Sequence, residues 1–213
     1  MQSSESSHIF NKHALDYQNK FMDVSRYGNT FDTFSAYLPQ EATVLELACG
    51  PGNITKYLLN KRPDLRILGT DIAPNMLELA TSNNPTVTFE LMDCRNITNT
   101  NTFTAIMCGF CLPYLSETET EKLLSDCYKL LEPNGILYLS TMEENAYHSS
   151  GIKTNSHGDQ TYMHYHRAAF LEDVLLKHNF MISRVFREIT PASDGTSTTD
   201  LIILAQKAGI IFA

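Results

Sequence analysis

The sequence predicts an α/β fold: a doubly wound, seven-stranded, mostly parallel sheet with a closing antiparallel hairpin. Three observations predict it. Short apolar runs alternate with helix-like segments from Thr43 onward. Those runs are continuous rather than alternating, as expected for strands buried on both faces. Two β-favouring stretches then follow each other near the C-terminus with no helix between them. Alternating units of this length build a mostly parallel sheet with helices on both faces.

The elements follow in order. Thr43–Ala48 is the first strand. Asn53–Asn60 is helical, with Ile54, Tyr57 and Leu58 on one face, and Pro63 stops it. Leu65–Asp71 is the second strand, and the next helix opens at Pro74, a favourable first-turn residue. Thr86–Met92 and Phe103–Cys108 are the third and fourth strands. Ser116 and Glu119 form a capping box ahead of a helical stripe of Leu123, Leu124, Cys127, Leu130 and Leu131. "EPNG" ends that helix, and Gly135–Met142 is the fifth strand. Residues 143–166 show no period and read as an inserted loop. Arg167–His178 is a helix. Ile182–Ile189 and Thr199–Gln206 form the antiparallel pair.

Composition narrows the function. The 213 residues suffice for one sizeable core, so one domain over 1–213 is expected. The formal net charge is -8 and no Lys/Arg run occurs, which argues against nucleic acid as partner. No apolar stretch reaches the length of a membrane span. "MQSSESSHIF" has neither the basic nor the apolar region of a secretory signal, and residues 1–8 read as a disordered tail. Five cysteines, an odd number, suggest reduced thiols in a cytoplasm.

Open α/β sheets bind ligands beyond the carboxyl ends of their strands. The loop after strand one, "VLELACGPGNI", carries two glycines. A dinucleotide fingerprint G-x-G-x-x-G/A, aligned on Gly50 and Gly52, puts Thr55 where a third small residue is wanted. Aligned on Ala48 and Gly50, it puts Asn53 there. A pyrophosphate also suits Glu46 poorly, because like charges repel. Asp71 closes strand two about 20 residues later, the spacing of a carboxylate that grips ribose hydroxyls. That spacing fits any adenosine cofactor. Asp93 follows strand three.

Glu46-x-Ala48-x-Gly50-x-Gly52 resembles motif I of the class I S-adenosylmethionine (SAM) methyltransferases, E/D-x-G-x-G-x-G, with Ala48 replacing the first glycine. "FTAIMCGFCLPYLS" and "LLEPNGILYLS" resemble that family's fourth strand and its L-x-P-x-G turn into strand five; Thr104 stands where the family carries an Asp. The resemblance spans Thr43 to Thr141 best. It implies a Rossmann-like fold that binds SAM, releases S-adenosylhomocysteine and methylates a small molecule by in-line displacement. It implies that Glu46 and the loop (Ala48, Cys49, Gly50, Gly52, Asn53) hold the methionine end. Asp71, with Ile72 and Met76, would hold the ribose. Asp93 and Cys94 would read the adenine, and Cys108 and Gly109 would floor the site. Aromatic-rich residues 9–38 would form lid helices, with Tyr17 and Lys20 toward the cofactor carboxylate. Residues 143–166 would wall the substrate, as in related enzymes.

Other motifs carry less. "CGFC" is a C-x-x-C, but no helix begins at its first thiol to activate it. "LPY" resembles the tetrapeptide of amino-methylating nucleic-acid enzymes, three residues late and with Cys111 in place of the Asn or Asp. His164, His166 and Tyr114 are candidates for a general base. His164-x-His166 lacks a further ligand at convincing spacing, so no metal is expected. A monomer or homodimer is expected. The alternatives are a nicotinamide (NAD(P))-dependent oxidoreductase and a non-catalytic SAM-binding regulatory module.

Overall fold

The computed structural model describes residues 2–192 and 194–209. The N-terminal helices are α1 (Gln2–Lys12), α2 (Ala14–Phe21) and α3 (Gly28–Ala36). Then come β1 (Thr43–Leu47), α4 (Asn53–Lys61), β2 (Arg66–Asp71), α5 (Pro74–Asn83), β3 (Thr88–Leu91) and β4 (Phe103–Cys108). The chain continues through α6 (Glu117–Leu130), β5 (Leu131–Met142), β6 (Gly151–Thr154), β7 (Gln160–Met163), α7 (Ala168–Lys177), β8 (Phe180–Pro191) and β9 (Ser197–Lys207).

Seven strands form one sheet in the order β3-β2-β1-β4-β5-β9-β8. The first five run parallel; β9 pairs antiparallel with both β5 and β8. This is the expected Rossmann-like arrangement with its antiparallel closing pair. The order reverses between β1 and β4, and at such a switch the crossovers leave on opposite faces and open a crevice.

Alternation along the central strands feeds two cores. Leu45 and Leu47 of β1, with Ile106 and Cys108 of β4, pack under Leu123, Leu124 and Cys127 of α6. Val44, Ala105, Met107 and Tyr138 face the other way, against Phe31 and Phe34 of α3 and Leu58 of α4. The capping box of α6 forms as expected: Glu119 N–H donates to Ser116 Oγ, and Ser116 N–H donates to Glu119 Oε2 at 2.8 Å.

Two expectations need correction. Residues 2–12 form α1 rather than a disordered tail; Met1 lies outside the described residues. The helix is polar, so no apolar period announces it, but Phe10 packs edge-on to Tyr17 and Tyr114. Residues 143–166 are not loop throughout. They include the hairpin β6–β7, a separate two-stranded sheet with Ile152 opposite Tyr162. Both strands have only four residues, too short to show alternation.

The α3 face is essential to the sheet's packing. Phe34 is fully buried and meets Tyr138 edge-on at 5.9 Å. Phe34→Ala should cost about 3–5 kcal/mol, read as a lowered midpoint in urea denaturation.

Candidate functional site

Beyond the carboxyl ends of β1, β2, β3 and β4 lies a cavity of about 710 Å3, open mouth included. Its walls come from four strand-end loops and from α1 and α2.

The first loop is built by conformation. Ala48, Gly50 and Gly52 all have positive φ, at 52°, 54° and 74°. Gly52 caps α4, and a Cβ there would collide with the Asn84 side-chain amide. That amide donates instead to Gly52 O at 3.0 Å, tying α5 to the loop. A Cβ on Gly50 would project to 3.7 Å from the Tyr17 ring, into the cavity wall. Glycine therefore keeps the loop backbone open to close approach.

Asp71 fastens this loop to the next. Its Oδ2 accepts Gly50 N–H at 2.9 Å and its Oδ1 accepts Ala73 N–H at 2.8 Å. The residue is only 7% exposed, and burial raises its carboxyl while those amides pull it back. Asp93 accepts from Arg95 through both oxygens, at 2.9 and 3.1 Å from Nε. Ile72, Met76, Cys94 and Gly109 complete the strand-end walls. Tyr17 and Tyr114 close the other side. Burial and the Asp71 charge push the Tyr17 phenol up to about 12. Burial raises Tyr114 further still, so both are neutral donors.

Several expected residues lie elsewhere. Glu46 does not reach the cavity. β1 alternation turns it with Val44 toward α4, where its Oε2 accepts the Thr55 hydroxyl at 2.5 Å. Its other oxygen, buried, has no partner. Burial pushes its carboxyl up to about 7. Lys20 is exposed, and its ammonium sits over the Phe21 ring rather than in the cavity wall. Asn53 bridges to α2 instead, donating to Phe21 O at 2.8 Å. Cys49 and Cys108 are buried behind the wall; burial raises the Cys49 thiol well above its ordinary value. His166 is buried beside Leu112, its Nε2 3.0 Å from that carbonyl. His164 packs against Tyr162 with the two rings tilted. Neither lines the cavity.

The sequence reading missed Ser6, Ser7, Phe10, Met92, Arg95 and Cys111. Arg95 follows two residues after Asp93, and that spacing was its available signal. Cys111 Sγ lies 2.9 Å from Cys108 Sγ, both buried, with Cys111 raised well above an ordinary thiol. That is the reverse of an activated thiolate.

Residues 44–135 match the family model described as a methyltransferase domain. That match spans a little under half of the chain, and over it the chain is similar to methyltransferase domains. A trans-aconitate 2-methyltransferase from Methylobacterium radiotolerans is 35% identical over 104 residues, 48% of this chain and 39% of that protein. A carboxy-S-adenosyl-L-methionine synthase from Campylobacter jejuni is 28% identical over 54% of this chain and 51% of its own length. The chain thus spans about half or less of these curated relatives. Among solved structures, magnesium protoporphyrin IX methyltransferase from Synechocystis, with bound SAH, superposes with a TM-score of 0.73. It is 16% identical, and 97% of this chain and 100% of that one are covered. The fold is therefore shared over nearly the whole length of the chain.

The buried Glu46 makes the stability of the fold depend on pH. A carboxyl raised in the folded state binds its proton there more tightly than in the unfolded chain. Stability should fall as pH rises from about 4.5 through about 7. Glu46→Gln keeps an acceptor for Thr55 and removes that slope. Urea unfolding at pH 5 and pH 8 should show the variant gaining on the parent at the higher pH.

Proposed function

We propose that this protein binds SAM in the strand-end cavity and transfers its methyl group to a small molecule. The observation that carries the reading is the convergence of Gly50, Asp71 and Asp93, from three successive strands, on one cavity. The donor set suits the cofactor. Asp71 keeps lone pairs beyond those used by Gly50 and Ala73, enough to accept hydroxyls of a ribose. Asp93 keeps similar capacity toward an amino group. Ile72, Met76 and Met92 offer apolar surface for a base between them.

When bound, SAM would supply a sulfonium methyl as electrophile. The chain's own work is to bind, orient and exclude water. The glycine loop allows close backbone approach. α1 and α2 act as the lid, with Phe10 and Tyr17 against the site. The stretch 143–166 acts as the outer substrate wall, braced where His164 N–H donates to Pro113 O at 2.7 Å. Tyr114, with its raised phenol, orients an acceptor as hydrogen-bond donor rather than removing a proton. His164 and His166 have no part in this chemistry.

The fit to a nicotinamide dinucleotide is worse. Thr55, fully buried and bonded to Glu46, fills the place of the third small residue. We assign the chain as one domain, acting in a cytoplasm as monomer or homodimer. Among the described residues no helix is long and apolar enough to cross a membrane.

Calorimetry tests the reading. SAM and S-adenosylhomocysteine should bind, and Asp71→Ala should weaken both by about tenfold or more. Circular dichroism confirms that the variant folds. Heat from NAD with none from SAM would overturn the assignment.

A further inference from the structure

Outside the cavity lining, four side chains from distant parts of the chain meet. His13 and Asp16 lie at the start of α2, three residues apart and on one face. His157 and Asp159 lie in the turn of the β6–β7 hairpin. The two imidazoles stack with centroids 4.2 Å apart. His13 Nδ1 is 3.6 Å from Asp16 Oδ2, and His157 Nε2 is 3.4 Å from the same oxygen. The three ligand atoms lie within 4.8 Å of one another.

These distances have a specific meaning. Zinc binds imidazole nitrogen and carboxylate oxygen at about 2.0–2.1 Å, so ligand atoms of a tetrahedral site sit about 3.3 Å apart. Both measured separations are near that edge length. The far side of His13 is also prepared. Its Nε2 lies 2.6 Å from Asp159 Oδ2, and Asp159 is further paired with Lys12 at 3.1 Å. A His13 Nε2–H donated to that carboxylate leaves the Nδ1 lone pair facing Asp16. A carboxylate behind a histidine is the usual outer support of a metal-bound imidazole.

The geometry points to a divalent metal site formed by His13 Nδ1, Asp16 and His157 Nε2 when the exposed His157 ring turns out of its stack on His13, with Asp159 orienting His13. Nitrogen and carboxylate ligands suit zinc and its first-row neighbours. Asp16 and His157 are half exposed, at 59% and 44%, so water can take a fourth position. The ion joins α2 to the hairpin. Tyr17, the residue after Asp16, lines the cavity, so the ion clasps the N-terminal helices shut across its mouth.

The test uses the full chain without cofactor, so it stands whether or not the methyl-transfer reading holds. Zn2+ is titrated against a chromophoric chelator. The parent should bind one equivalent, and His13→Ala, His157→Ala and Asp16→Asn should each weaken binding by about tenfold or more. Asp159→Asn should weaken it less. His157 lies in a hairpin turn and Asp16 is exposed, so these variants should keep the parent's melting profile without metal. Co2+ should give a visible band without thiolate charge transfer. Zn2+ should slow tryptic cleavage near Lys12 and Lys20 in the parent only. Parent protein that binds no Zn2+, variants that bind like the parent, or a cobalt–thiolate band would each overturn the site. Binding without protection from trypsin would overturn the clasp.

Discussion

The Asp71 carboxylate is the point on which the two nearest loops depend. It receives an amide from Gly50 after β1 and another from Ala73 after β2. A buried carboxylate without partners would be costly. With two charge-assisted bonds it becomes a rivet instead. It also lies at the start of α5, for which Ala73 is the N-cap, where negative charge is favoured. One side chain thus sets the conformation of the glycine loop and the entry of the following helix. Its remaining lone pairs face the cavity already aligned. A ligand hydroxyl would meet a group whose orientation cost has been met in folding.

A second layer supports the loop from beneath. Glu46 and Thr55 join β1 to α4 through one short hydrogen bond, while Asn84 joins α5 to Gly52. Thr55 occupies the place that a dinucleotide fold reserves for a small residue at helix–strand contact. Here its hydroxyl turns that contact into a polar one. The second Glu46 oxygen stays buried and unpartnered, which is why the proton is held so tightly there. Glu46 therefore acts on the loop's geometry from behind the cavity wall, within reach of the Asp71 charge.

Much of this was legible in the sequence because it is written locally. Strand periodicity, the proline at α5, the capping box at Ser116 and the acids after β2 and β3 each depend on a few adjacent residues. The sheet and its closing pair followed from them. The direction of Glu46 was less legible: charge complementarity suggested an outward carboxylate, and strand alternation plus the Thr55 hydroxyl turned it inward. Lys20 shares the helix face of Tyr17, but its flexible side chain lies over the Phe21 ring, which no local pattern encodes. The hairpin strands at Gly151–Thr154 and Gln160–Met163 are too short and too polar to announce themselves. Phe10 and Ser6 reach the cavity through the packing of α1, which no local pattern encodes. His13 and His157 stand 144 residues apart in number, 157 minus 13, and only the tertiary fold brings their rings together.

The character of the cavity walls limits what chemistry they could support. The strand-end side carries the two carboxylates, each already engaged by backbone amides or by Arg95. The opposite side is aromatic, from Phe10, Tyr17, Phe110 and Tyr114. The tyrosines there hold their protons firmly, and the histidines nearest in sequence pack outside. Such a wall can orient an acceptor and exclude water, but it offers little to deprotonate one. An acceptor matched to it would bring a nucleophile that is already ionised, or one that loses its proton after the methyl has moved. Rate would then rest on how completely the N-terminal helices close over the strand ends. That makes the contact between α2 and the hairpin turn, rather than any single residue beside the substrate, the natural place for control.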